Sequence, residues 1–133
     1  MIAAIHAGWK GAFKGIIQKV VNFMLNKGCN KKYITAAIGP SIKQNSYNVR
    51  GDFKDKFIKK DKENKKFFKN KKNVIYFDLP NFVRSQLKSN EITNIDMINI
   101  DTFDKKNNFF SARRSLGLKY DDYGRNISII MIN

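Results

Sequence analysis

The opening run Met1-Ile2-Ala3-Ala4-Ile5-His6-Ala7-Gly8-Trp9-Lys10-Gly11 constrains this chain more than any other stretch. Apolar residues that do not alternate with polar ones suit a strand buried on both faces, so Met1 to Ile5 is expected to be one. The run breaks at His6 into a turn flanked by Gly8 and Gly11, and helical spacing begins at Ala12. Strand, loop and helix in that order predict an α/β fold, a mixed β-sheet flanked by helices. His6 then falls at the carboxyl end of a core strand, where a rigid scaffold holds a loop whose polar groups stay reachable. Residues without Cβ on either side of the turn let the backbone approach a ligand or a second chain closely.

At 133 residues, 42% hydrophobic and 13% aromatic, the chain has enough apolar surface for one core, which excludes disorder throughout. No apolar segment approaches the roughly 20 residues that span a bilayer, and the first residues lack a signal peptide's basic start and cleavage site. A cytoplasmic protein without membrane contact is expected. Cys29, the single cysteine, has no partner for an internal disulfide and follows a helix, where a thiol is usually inert. A net charge of +15 raises nucleic acid as a partner. Lysine outnumbers arginine heavily, however, alongside abundant asparagine and isoleucine, which reads as solvated surface rather than a phosphate reader.

Along Ala12 to Asn26, the residues Phe13, Ile16, Ile17, Val20 and Met24 share one helical stripe, and Lys27-Gly28 supplies a stop. Tyr33 to Ile38 reads as a second buried strand ended by Gly39-Pro40. The densely charged stretch from Arg50 to Asn73, with Phe53, Phe57, Phe67 and Phe68 interleaved, fits one or two amphipathic helices anchored by their aromatic side. The alternative for those rings is a stacking surface for single-stranded nucleic acid. Val74 to Phe77 is a short strand, and Asp78 caps a helix to about Lys88 with Pro80 in its first turn. Glu91 to Ile100 contains another strand, Asp104 to Asn108 a polar turn, and Ile127 to Ile132 a closing strand. Arg113-Arg114 is the only adjacent arginine pair, suited to gripping phosphate or carboxylate, or to ion pairing with Asp121 or Asp122.

His-Ala-Gly-Trp-Lys-Gly at 6–11 closely resembles the His-Ala-Gly-Trp-Arg-Gly motif of the family once called multicopper polyphenol oxidases, or laccase-domain proteins, now regarded as zinc-dependent purine nucleoside phosphorylases. Ala37-Ile38-Gly39-Pro40-Ser41-Ile42 and Ser46-Tyr47-Asn48-Val49 resemble its Ile-Gly-Pro-x-Ile and Tyr-Glu-Val segments. Asp78-Leu79 with Gln86-Leu87, then Phe109-Phe110-Ser111-Ala112-Arg113-Arg114 and Gly124-Arg125, follow in the family's order. Asp101 departs from the pattern, standing where a cysteine is common.

The resemblance implies phosphorolysis of purine nucleosides, including methylthioadenosine, together with deamination of adenosine, with zinc as cofactor. It makes His6 a zinc ligand, and makes Lys10, Ser41, Arg113 and Arg114 candidates to bind phosphate or substrate. A catalytic zinc typically takes three protein ligands. In the resembled family a further histidine and a cysteine come from upstream segments that this sequence does not contain. Residues 1–133 are therefore expected to be the carboxyl-terminal part of such a domain, from a truncated or split gene, with a separate amino-terminal half as a possible partner. The alternative is a non-enzymatic remnant or a basic nucleic-acid-binding module. Copper oxidase chemistry, implied by the older name, needs a set of histidines that this sequence lacks.

Overall fold

A computed structural model describes residues 1–118 and 124–132. Its elements are α1 (Trp9–Phe13), α2 (Ile16–Asn26), β1 (Thr35–Ile38), β2 (Asn48–Val49), α3 (Gly51–Lys60), β3 (Phe68–Lys71), β4 (Val74–Phe77), α4 (Leu79–Ser89), β5 (Asn94–Met97) and α5 (Ala112–Gly117), with 3-10 turns between several of them. β1 and β5 pair in parallel, with Thr35 opposite Asn94 and Ile38 opposite Met97. β2, β4 and β3 form an antiparallel sheet in that order. The α/β expectation of parallel and antiparallel strands flanked by helices holds, divided between two small sheets.

Local chemistry explains most boundaries. The helical stretch expected from Ala12 begins earlier, at Trp9, and breaks at Gly15, whose φ of +80° an L side chain rarely adopts. α2 ends as foreseen: Gly28 takes φ +88°, its N–H reaches the Leu25 carbonyl and that of Cys29 reaches Met24. These are the paired bonds of a Schellman stop. Asp78 accepts from the Asn81 N–H at 3.1 Å and so caps α4, with Pro80 in the first turn.

Aromatic residues dominate the core. Phe57 and Phe77 are fully buried with centroids 4.8 Å apart, and Phe53, Phe68 and Phe82 pack around them. The rings interleaved with lysines are thus spent on the interior rather than offered to bases. Of the one or two helices expected there is one, α3, which carries Phe53 and Phe57, while Phe67 and Phe68 stand on a 3-10 turn and a strand. After α3, a 3-10 turn at Lys62–Phe67 leads into β3, and β3 and β4 form a hairpin around Lys72 and Asn73, both at positive φ. Two such residues in succession match the twist of a hairpin, a signal hidden by the charge of the region.

Three expected strands are corrected. Met1 to Ile5 belongs to no strand, and Met1, Ile2 and Ile5 are exposed. Ile127 to Ile132 likewise forms no strand, with Ile127 84% and Ile132 68% exposed. Apolar composition predicts a strand only where another backbone stands alongside to satisfy its N–H and C=O groups, and among the described residues neither segment pairs with one. β1 exists but is only half covered, and Tyr33 lies outside it, 78% exposed.

Candidate functional site

His6 lies in the extended lead-in to α1 and is exposed. Its imidazole folds back over the turn, so that a Cβ on Gly8 would stand 3.0 Å from Nε2. Gly8 therefore makes room for the ring, which gives this glycine a steric purpose beyond turning the chain. Trp9 packs edge-on to Phe53 at 4.9 Å and fastens the turn to α3, while the Ala12 carbonyl accepts from Gln86 Nε2 at 2.9 Å and fastens α1 to α4. Lys10 stays exposed beside the Trp9 ring, its Nζ 5.7 Å from the centroid.

The loops after β1 and β5 leave the carboxyl ends of parallel strands and are laced together. Ser41 donates its N–H to the Ile100 carbonyl, and its own carbonyl accepts from the Thr102 N–H. Asp101 completes the joint: its carboxylate accepts from the N–H groups of Lys43 at 3.2 Å and Phe103 at 2.9 Å, and from Ser46 Oγ at 2.6 Å. The hydroxyl of Ser41 is buried beside this joint with no hydrogen-bond partner among the described residues.

The arginine pair splits in two directions. Arg114 donates to the carbonyls of Thr102, Phe103 and Phe109, at 3.1, 2.8 and 2.6 Å, so its fork is occupied by backbone. Arg113 lies over the Tyr47 ring at 4.9 Å and gives one N–H to the Asn48 carbonyl at 3.2 Å. Burial pushes the Tyr47 hydroxyl above its ordinary range, opposed in part by the Arg113 charge and hydrogen bond. Asp121 and Asp122, the other expected partners of the pair, lie outside the described residues.

Segments far apart in sequence thus meet. Ser41, Tyr47, Asp101 and the arginine pair belong to one connected patch, and the Trp9 to Phe53 to Tyr47 ring contacts join the His6 turn to it. Cys29 stays apart, beyond the eleven residues of α2 that follow the turn. Among the described residues no group of three or more His, Cys, Asp or Glu side chains could hold a metal ion. One imidazole does not make a zinc shell, so the residues present do not fit a complete centre. No helix among the described residues is long and apolar enough to cross a membrane. Sequence reasoning passed over Asp101 as a structural joint and Gln86 as a tie to α1; both depend on contacts across more than fifty residues.

An α/β fold with an exposed histidine on a glycine-flanked turn, and joined loops beyond parallel strands, defines the class. Residues 1–133 match the family described as multi-copper polyphenol oxidoreductase laccase, and the chain belongs to that family. It is 37% identical over 134 positions to a purine nucleoside phosphorylase of Rickettsia prowazekii, covering 99% of this chain and 55% of that protein. It is 40% identical over 129 positions to one of Rickettsia conorii, covering 96% and 52%. Among solved structures, the crystal structure of Bacillus licheniformis hypothetical protein YfiH is similar, with a TM-score of 0.74 at 32% identity over 84% of this chain and 44% of that one. The chain spans about half the length of the curated relatives it matches.

Proposed function

We propose that residues 1–133 form the carboxyl-terminal part of a cytoplasmic, zinc-dependent purine nucleoside phosphorylase domain that acts on purine nucleosides and phosphate. Methylthioadenosine phosphorolysis and adenosine deamination belong to the same reading. The observation that carries it is the similarity across nearly the whole chain to proteins named purine nucleoside phosphorylase. The exposure of His6 on its glycine-flanked turn supports the choice of His6 as a metal ligand. Because this chain offers one of about three ligands, the others are proposed to come from the rest of the domain.

In phosphorolysis a phosphate oxygen bonds to C1′ of the ribose while the bond from C1′ to the purine nitrogen breaks and the base leaves with a proton. The demands on the protein are to hold a multiply charged nucleophile and to orient the sugar. Arg113 suits the first task, since it is exposed and its contacts with Tyr47 and the Asn48 carbonyl hold the guanidinium in place. Lys10 adds an exposed charge at the His6 turn, and Ser41 holds a buried hydroxyl that has no partner among the described residues at the joint of the two loops. Arg114 acts on the same site by tying α5, which carries Arg113, to the loop at 102–109.

The test is turnover of adenosine with phosphate by this chain, alone and with the amino-terminal stretch of a relative supplied in trans. Activity in the mixture, absent from the chain alone and dependent on phosphate, is the expected outcome. A folded mixture that binds zinc yet converts no purine nucleoside would contradict the reading.

A further inference from the structure

Along α4 lies an open depression of about 330 Å³ lined by Lys66, Phe67, Asp78, Asn81, Arg84, Ser85 and Lys88. None of these residues belongs to the patch described above. Arg84 makes no hydrogen bond or ion pair among the described residues, and its Nε is buried without a partner. A buried donor left unsatisfied costs free energy, and a guanidinium satisfies that cost best with a planar or tetrahedral oxyanion. The only carboxylate in the wall of the depression, Asp78, is already engaged by the N–H and the side-chain amide of Asn81. Lys88 forms no ion pair among the described residues, and Lys66 meets Glu63 only at 3.7 Å. Three cations therefore face one space with one committed anion among them.

We infer that this depression is a phosphate-binding site centred on Arg84, with Lys66 and Lys88 as flanking charges and a phosphoryl group carrying two negative charges as the ligand. The group is either free inorganic phosphate or the terminal phosphate of an ester. The Arg84 fork takes two of its oxygens, and the lysines neutralise the remaining charge without fixing geometry. The inference is independent of nucleoside chemistry and of His6.

Titration calorimetry at constant ionic strength tests it, using inorganic phosphate in one arm and glycerol 3-phosphate in the other. Saturable binding is expected, weakened about tenfold or more by Arg84→Gln and less by Lys88→Gln, and kept by Lys62→Gln, which removes one charge outside this depression. Tighter binding of the ester identifies an esterified ligand; equal or tighter binding of inorganic phosphate identifies the free ion. Should Arg84→Gln fail to fold by circular dichroism, Arg84→Lys, which keeps the charge and loses the fork, carries the comparison with Lys88→Gln. Absence of saturable binding, or binding that persists unchanged in the Arg84 variants while Arg113→Gln abolishes it, would overturn the assignment.

Discussion

Ser46 gives its hydroxyl proton to the Asp101 carboxylate at 2.6 Å, across 55 positions of sequence. With the N–H groups of Lys43 and Phe103 on the same carboxylate, this contact fixes the loop after β1 against the loop after β5. Hydrogen bonds to a carboxylate are stronger than those between neutral groups. Asp101→Ala should therefore destabilise the chain by about 2–3 kcal/mol, and Ser46→Ala by about 1 kcal/mol, in urea denaturation. Equal, small effects would mean that the joint does not hold the loops.

The adjacent arginines should separate in the same assay. Arg114→Ala leaves the carbonyls of Thr102, Phe103 and Phe109 without their donor and should cost about 2 kcal/mol. Arg113 is exposed and its contacts among the described residues are with Tyr47 and the Asn48 carbonyl, so Arg113→Ala should cost less than about 1 kcal/mol while raising the phosphate requirement of the reconstituted enzyme.

The contrast marks how far the sequence could be read. Asp78 as a cap, Gly28 as a stop and the strand Val74 to Phe77 were legible because each depends on neighbours within a few positions. The hairpin at Lys72 and Asn73 was masked by surrounding charge, which mimics a solvated helix. Met1 to Ile5 and Ile127 to Ile132 carry strand composition, yet a ladder needs a second backbone and composition does not say where one lies. At the site, His6 and the arginine pair stood out by residue type. Asp101 was visible only as a departure from a pattern, and its three acceptor contacts are a property of the folded loops.

Tyr47 supplies a pH dependence. Burial raises its pKa in the folded chain, so the native state keeps the phenol proton at a pH where the unfolded chain has lost it. Its contribution to stability is thus complete below the unfolded tyrosine value, about 10, and is lost as pH rises through the folded value. Phenolate absorbance should show a late-ionising component, and Tyr47→Phe should remove it.

Gly8 provides a local probe of the imidazole. A methyl at this position would lie 3.0 Å from His6 Nε2, and because the ring is exposed it can swing away. Gly8→Ala should leave thermal stability within about 1 kcal/mol of wild type while displacing the ring, visible as a changed imidazole resonance in NMR. An unchanged resonance would mean that Gly8 serves the turn alone.

The central proposal is that His6 is a zinc ligand of a phosphorylase domain of which residues 1–133 form the carboxyl-terminal part. Its most direct test is zinc content after dialysis against a mild chelator, measured on the reconstituted domain with His6 and with His6→Ala, both checked for folding. The account predicts about one zinc per domain for the first, and loss of zinc and of adenosine phosphorolysis together for the second, because two remaining ligands do not hold the metal tightly. A folded His6→Ala domain that retained both zinc and phosphorolysis would contradict it.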